Sequence, residues 1–212
     1  MKKHISNRRF IAGLTATRSY RWLAIGLTAL AFMFTGCLNY AYNYEYVPSE
    51  PSAVFNGTAY EYIRSRSEEK FSLWYEAIEA ADMKDLYEQP DHTYFLLEDD
   101  QLAAWLSSWH YSSVAAMPQT ALTTLLGGYT LPKAYNSAQL TTSPIDVLSC
   151  DSDHVVRMRL YPNASTASQN LHSMQAGWVN LDGSVDYRNV ISSNIQTSNG
   201  IIHVLVSRFV RK

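Results

Sequence analysis

The chain has 212 residues, only two of which are cysteines, and its formal net charge is −2 at pH 7. Two cysteines exclude a disulfide framework. Because phosphate binding needs a basic surface, the charge balance argues against a nucleic-acid partner.

Residues 1–36 have the composition of a bacterial export signal. They contain six basic residues and no acidic residue, and the thirteen residues from Trp22 to Phe34 are almost wholly apolar. A spanning helix needs about 20 apolar residues, so this run favours a cleaved signal peptide over a membrane anchor. An uncleaved anchor helix is the alternative.

Cys37 directly follows Phe34-Thr35-Gly36, and this order resembles the lipobox of bacterial lipoproteins, although Phe34 stands where leucine is usual. The resemblance implies that Cys37 is the lipid attachment site and that the chain is cut just before it. We therefore expect an envelope lipoprotein of the outer membrane, and the lack of acidic residues directly behind Cys37 favours the periplasmic face. Loss of the signal leaves 11 basic and 19 acidic residues, a net charge near −8.

Residues 37–52 are predicted to form a tyrosine-rich tether. Its tyrosines alternate with small or polar residues, so an extended chain would place all four rings on one face. They are Tyr40, Tyr42, Tyr44 and Tyr46. This row could bind a protein, a glycan or the lipid headgroup layer, whereas Pro48 and Pro51 favour a plain linker.

Residues 53–212 are long enough for one domain with a proper core, and no internal repeat divides them. Helical spacing of apolar residues predicts amphipathic helices over 58–66 and 68–81, and this layer extends to Pro90. The aromatic residues of these helices are expected to face the core and not a cofactor.

A short strand is predicted next, over Thr93–Leu97. Glu98-Asp99-Asp100 then precedes a helix whose apolar stripe runs from Leu102 to Trp109. Carboxylates in this position are expected to cap the helix that follows them. The alternative is a pair of catalytic carboxylates.

The spacing becomes strand-like after a short helix, Ala121–Leu126, that Gly127-Gly128 is expected to close. Residues 155–160 alternate apolar side chains with Arg157 and Arg159, which predicts a strand with one wet face. The two arginines are either solvated or bind an anion.

The turn pair Asp182-Gly183 predicts a hairpin between Trp178–Leu181 and a return strand over 185–191. Cys150, at the end of an earlier apolar segment, has no partner if Cys37 carries lipid. It is expected to be a buried, small apolar residue.

The last apolar run, Ile201–Val206, is rich in β-branched residues, and both of its faces are apolar. A strand of this kind is covered on both faces, which predicts a central strand of the sheet. Asn199-Gly200 is interpreted as a turn pair, because both residue types tolerate positive φ. His203 is interpreted as a hydrogen-bonded core residue, with a catalyst or ligand as the alternative.

Two segments resemble the signatures of fasciclin-like domains. The stronger is Asn194-Ile195 through Asn199-Gly200-Ile201-Ile202-His203-Val204-Leu205, followed by Val206 where that family usually has aspartate. The first signature is matched more loosely around the strand at 93–97, with Leu97 and Glu98 as departures. The structural signature residues in this chain are Thr93, Phe95, Asp99, Asn199, Gly200 and His203.

The resemblance implies an α+β fold, a wedge-shaped β-sandwich of the fasciclin type with helices packed along one edge. It also implies a cell-adhesion or interaction module that binds an envelope protein, an extracellular protein or a glycan. Gly128-Tyr129 falls where many such domains carry a tyrosine-histidine pair linked to adhesion. The histidine is missing here, so a mechanism that depends on the pair is not carried over.

The sequence carries none of the short motifs that hold zinc, activate a serine or cradle phosphates. Together with the resemblance, this predicts a non-catalytic protein with no metal or cofactor. Two alternatives stay open. One is a structural subunit that docks through its tyrosine-rich tether onto a neighbouring sheet. The other is an enzyme, for which a deep pocket of converging charged groups would be the sign.

Overall fold

In the computed structural model, residues 54–162 and 172–212 are described, and they form an α+β fold. The predicted signal peptide, the tether and residues 163–171 lie outside the described residues. So do the predicted lipid site and binding row, namely Cys37, Tyr40, Tyr42, Tyr44 and Tyr46. No helix in the described part is long and apolar enough to cross a membrane.

Five α-helices lie in the first half of the described chain. They are α1 (Ala59–Ser65), α2 (Ser72–Ala81), α3 (Lys84–Glu88), α4 (Asp99–Ser108) and α5 (Gln119–Gly128). Two short 3-10 helices, Val114–Ala116 and Ser137–Gln139, lie before and after α5 in the chain. In α2 the buried residues are Trp74, Ala77, Ile78 and Ala81, which is the predicted helical spacing.

The described strands form one mixed sheet. They are β1 (His92–Leu97), β2 (Thr130–Leu131), β3 (Ile145–Leu148), β4 (Val155–Pro162), β5 (His172–Trp178), β6 (Arg188–Thr197) and β7 (Gly200–Leu205). Their order across the sheet is β2-β1-β7-β6-β5-β4-β3. The pair β1 and β7 is parallel, and the other neighbours are antiparallel.

The prediction of a buried central strand at Ile201 is confirmed. Strand β7 lies between β1 and β6, and its residues from Ile201 to Leu205 are all buried. It ends at Leu205, one residue earlier than expected, and Val206 beyond it is 43% exposed. Phe209 is buried beyond the strand, against the rings of Phe95 and Tyr129.

The interpretation of Asn199-Gly200 as a positive-φ turn pair is wrong. The β6–β7 turn is made by Ser198 and Asn199, and neither Asn199 nor Gly200 has positive φ. Gly200 is already the first residue of β7, paired with His92 of β1. A Cβ on Gly200 would lie 2.2 Å from the carbonyl oxygen of His92, so glycine is required by close approach of the neighbouring strand.

Asn199 instead uses its buried side-chain amide as a hydrogen-bonding centre. Its Oδ1 accepts from the backbone N–H of Ala59, the first residue of α1, at 2.8 Å. Its Nδ2 lies 2.9 Å from the carbonyl oxygens of Tyr87 and Gln89 and 3.1 Å from the hydroxyl of Tyr94. One amide therefore connects the last turn of the sheet to α1, to the segment after α3 and to β1.

The prediction that Asp99 caps the helix after it is also wrong in its target. Glu98, the N-cap residue of α4, makes no capping hydrogen bond through its side chain, and in the first turn Asp100 accepts from the backbone N–H of Gln101 at 2.8 Å. The Asp99 carboxylate accepts from the backbone N–H groups of Ser72 and Leu73, at 3.0 and 2.9 Å, and from the Ser72 hydroxyl at 2.7 Å. It therefore caps α2, whose own N-terminal residue, Phe71, has no side chain that could do so.

Besides the end of β7, further boundaries differ from the sequence predictions. Helix α2 begins at Ser72 and not near residue 68. The return strand β6 runs over Arg188–Thr197 and contains two bulges, so it starts later and ends later than 185–191. Helix α5 continues through Gly127 and Gly128, which were expected to close it.

Replacing Asn199 by alanine is expected to lower the free energy of unfolding by about 3 to 5 kcal/mol, because several buried backbone groups lose their partner together. Chemical denaturation measures the loss. Asn189→Ala is the matched control, since Asn189 is exposed on β6 and its amide bonds only the side chain of Gln175. An equal loss in both variants would contradict the role given to Asn199.

Candidate functional site

His203 is fully buried in β7, and both of its ring nitrogens have partners. Nδ1 accepts from the backbone N–H of Asn194 at 3.2 Å, so Nε2 carries the proton and donates to the carbonyl of Tyr135 at 2.9 Å. Burial lowers the pKa of His203 to about 4, and the hydrogen bond to Tyr135 opposes this shift only in part. The imidazole is thus a neutral core residue that does not reach the surface.

The other signature residues are also part of the framework. Thr93 is buried, and its hydroxyl donates to the carbonyl of Lys133 and accepts from the N–H of Tyr135. Phe95 packs 5.6 Å from the His203 ring, centroid to centroid. Because β1 and β7 pair in parallel, these residues lie beside Asn199, Gly200 and His203, while Asp99 caps α2.

A surface groove lies elsewhere, where α4 faces the end of β5 and the last residues of the chain. It consists of two adjoining cavities of about 640 and 400 Å³. Both cavities are lined by Trp105, Trp109, His154 and Trp178, and we call this feature the tryptophan groove. Trp109 is 61% exposed, and its ring lies 6.2 Å from that of Trp105.

The inner wall of the tryptophan groove contains an oriented histidine. Nδ1 of His154 is hydrogen-bonded to the carboxylate of Asp151, and the imidazole stacks on Trp178 with ring centroids 4.0 Å apart. Burial alone would raise the pKa of Asp151. The hydrogen bonds from the Ser149 hydroxyl, from His154 and from two backbone N–H groups outweigh it, so the pKa of Asp151 is lowered.

Local packing explains why helix α5 carries two glycines at this point. A Cβ on Gly127 would lie 3.0 Å from the Cβ of Asp151, and one on Gly128 would lie 3.0 Å from the Trp178 ring. The indole N–H of Trp178 also donates to the carbonyl of Gly128 at 3.0 Å. The glycines therefore allow the aspartate, the histidine and the indole to pack directly on α5.

The larger cavity of the groove is also lined by positive charge. Arg208, Arg211 and Lys212 line the larger cavity, and none of them has an ion-pair partner among the described residues. The Arg208 guanidinium donates to the Ser108 hydroxyl at 2.8 Å, and that of Arg211 to the carbonyl of Asp153 at 3.2 Å.

The arginines on β4, in contrast, are already engaged. The guanidinium of Arg157 donates through two nitrogens to Asp146, and a third donates to the carbonyl of Gly183. Arg159 lies between the rings of Tyr161 and Tyr187 and donates to Gln175. Neither arginine forms an open anion site.

Tyr129 is fully buried. Its hydroxyl accepts from the backbone N–H of Phe209 at 2.7 Å, and burial raises its pKa. Cys150 is only half-buried, and burial raises the pKa of its thiol to about 11, which makes it a poor nucleophile at neutral pH. Within the described ranges, no three histidine, cysteine or acidic residues are grouped to hold a metal ion.

The tryptophan groove was not predicted from the sequence. Trp105 and Trp109 were placed on the apolar stripe of a predicted helix, and Gly127-Gly128 was interpreted as a helix end. The sequence did contain two signals for such a site. One is a tryptophan, Trp109, at the end of a short helix, and the other is the pair Gly127-Gly128, which permits close packing. Only the fold brings them to His154.

Comparison with known proteins gives limited information. No protein-family model matches the chain, and no curated protein matches it in sequence. A solved structure of a FAS1 domain pair from the insect cell adhesion molecule fasciclin I is similar, with 11% identity and a TM-score of 0.49. The match covers 64% of this chain and 43% of that one, so the chain spans less than half the length of that structure. This likeness does not assign the chain to a family.

The buried His203 predicts a pH dependence of stability. Its pKa is about 4 when folded and 6.5 in the unfolded chain, so the unfolded state binds the proton first. The contribution of His203 is complete above pH 6.5 and is lost as the pH falls toward 4, by up to about 3 kcal/mol. Denaturation at a series of pH values should therefore show a shallower acid slope for His203→Gln than for the wild type.

The control for this experiment is His110→Asn. His110 is exposed and has a φ of 60°, a conformation that asparagine tolerates. This variant should keep the wild-type slope. An unchanged slope in His203→Gln would show that the histidine is not buried in its neutral form.

Proposed function

We propose that this chain is a lipid-anchored interaction module of a bacterial cell envelope, without catalytic activity, and that it binds a protein or glycan partner. In this proposal Cys37 carries the lipid, residues 37–52 form the tether, and residues 53–212 form one fasciclin-type domain with a wedge-shaped β-sandwich. The anchor rests on the signal-like residues 1–36 and the lipobox-like Phe34-Thr35-Gly36-Cys37.

The fasciclin-type domain is supported by the positions of the two signature-like segments. They are far apart in sequence, yet they form neighbouring parallel strands, with Thr93 opposite Ile201 and Phe95 opposite His203. The carboxylate that follows the first segment, Asp99, and the amide that precedes the second, Asn199, each fix the start of a helix. The signature residues thus have structural reasons to occur together.

The observation that carries the binding proposal is the tryptophan groove. An indole that is 61% exposed, as in Trp109, is costly to leave in water, and exposed aromatic residues are enriched where proteins bind partners. The groove adds a second indole, Trp105, and an oriented imidazole, His154. Its larger cavity adds Arg208 and Arg211, which form no ion pair with a described carboxylate.

The chemistry beside the groove supports binding and not catalysis. The Ser149 hydroxyl donates to the Asp151 carboxylate and is not hydrogen-bonded to the His154 ring. Ser149 and His154 therefore do not form the nucleophile-base pair that a catalytic serine needs. The Cys150 thiol has a pKa raised to about 11. An oriented imidazole without a nucleophile is suited to forming a hydrogen bond with a ligand.

The wild-type protein is expected to bind a component of the envelope in pull-down or glycan-array experiments, and Trp109→Ala should weaken that binding about tenfold or more by removing an exposed aromatic contact. Ile191→Ala is the matched control, since Ile191 is 53% exposed but does not line the groove. Equal binding by Trp109→Ala and wild type would contradict the proposal.

A structural subunit is the second candidate, because the sheet has an exposed margin. Strand β3 ends the strand order, and its Ile145 and Leu148 are 37% and 50% exposed. An extended tether from a second copy could add a strand there. Sedimentation should then show an assembly for the mature protein and a monomer when residues 38–52 are deleted, whereas a monomeric mass for both would exclude this candidate.

A further inference from the structure

We propose that the ligand of the tryptophan groove is an acidic polysaccharide, a chain of uronic-acid sugars whose carboxylates bind Arg208 and Arg211. This inference rests on the proposed function and narrows it to one ligand chemistry. The larger cavity is lined both by the indoles, of which Trp109 is 61% exposed and Trp105 half-buried, and by guanidinium groups that form no ion pair with a described residue.

The indole faces favour a sugar ring. One side of a pyranose ring presents C–H groups with slight positive charge, and the face of an aromatic ring carries the negative part of its quadrupole. Trp105 and Trp109 are inclined to each other by 47°, with centroids 6.2 Å apart, and both line the open groove. Two inclined platforms along a groove suit consecutive residues of a chain better than one compact ligand.

Polar groups for the sugar hydroxyls lie along the same wall. His154 donates from Nδ1 to Asp151, so its Nε2 is the ring atom left to accept from a hydroxyl. The imidazole is held between Asp151 and the Trp178 ring, which limits the orientational freedom it would lose on binding. Ser108, which also lines the groove, holds the Arg208 guanidinium in position.

The guanidinium groups favour a carboxylate on that sugar. Arg208 and Arg211 each use one Nη1 in a hydrogen bond to the protein, which leaves further N–H donors in the fork geometry that binds carboxylates. Lys212 also lines this cavity, but its charge acts on Asp182. The pKa of the Asp182 carboxyl is lowered mainly by hydrogen bonds from Ser184 and, to a smaller extent, by the charge of Lys212. We therefore assign the carboxylate contact to the two arginines.

Local charge matters more than net charge for this contact. The predicted mature chain is acidic as a whole, which would repel an acidic polymer at long range. Screening limits that repulsion to about 8 Å at physiological ionic strength, so a ligand in the groove interacts mainly with the arginines that line it. The same reasoning predicts that binding weakens as salt is added.

The test uses the lipidated mature protein in detergent, titrated calorimetrically with alginate oligosaccharides, neutral glucan oligosaccharides and polyglutamate of matched length. We expect alginate to bind at least about tenfold more tightly than either comparison ligand, because only alginate offers both sugar faces and carboxylates. Trp109→Ala and Arg208→Gln/Arg211→Gln should each weaken alginate binding about tenfold, and only Trp109→Ala should weaken binding to the neutral glucan.

The control for charge is Arg64→Gln/Lys133→Gln, which removes two exposed cations that do not line the groove and should leave alginate binding unchanged. Thermal melts verify that each variant is folded, and the salt dependence of wild-type binding provides a test that needs no variant. Neutral glucan binding as tightly as alginate would overturn this inference and leave the proposed function standing. Equal binding of polyglutamate, or no binding of alginate, would also overturn it.

Discussion

The side-chain amide of Asn199 is the constraint on which the sheet and the helices both depend. It offers an acceptor to the N-terminus of α1 and donors to the carbonyls before β1, because a side-chain amide combines a carbonyl oxygen with two N–H donors. A buried backbone group without a partner costs about 1 to 3 kcal/mol, so the amide stabilises one arrangement of three elements. The turn it fixes also sets β7 against β1, with Gly200 under the carbonyl of His92.

A second close-packed contact, around Gly128, shapes the tryptophan groove. Trp178 is held by its hydrogen bond to the Gly128 carbonyl, and His154 is held between Trp178 and Asp151. Both side chains of the inner wall are therefore held in place by a hydrogen bond and a ring contact. Trp109 is the exposed member, and it can adjust to a ligand at the surface.

The sequence predicts those features that depend on one segment alone. The apolar character of both faces of Ile201–Leu205 is enough to place that strand in the centre, and a histidine in such a strand must find two partners. What the sequence does not show is which distant group meets a polar side chain. Asp99 is the first residue of α4, yet it caps α2, whose start is 27 residues earlier in the chain.

The groove was missed for the same physical reason. A glycine pair at the end of a helix fits a helix stop and a close contact equally well, and the choice depends on Asp151 and Trp178, which are remote in sequence from Gly127 and Gly128. Aromatic spacing on a helix likewise predicts a stripe without showing where the core ends. Trp109 lies one residue beyond α4 and is exposed, whereas Leu102 and Leu106 within the helix are buried.

Hydrogen bonds and ion pairs distinguish the side chains that hold the fold together from those that remain available at the surface. No buried side-chain nitrogen or oxygen in the described ranges lacks a partner, so the interior has no polar group left for a ligand. Most lysines and arginines of the described residues outside the groove already have a partner. It is a carboxylate in ion pairs such as Arg157 with Asp146, or an aromatic ring in contacts such as Arg159 with Tyr187. In an acidic chain carboxylates are abundant, and exposed ion pairs contribute little stability. Arg208 and Arg211 differ from these cations, because each is held by a hydrogen bond to the protein and neither forms an ion pair with a described residue.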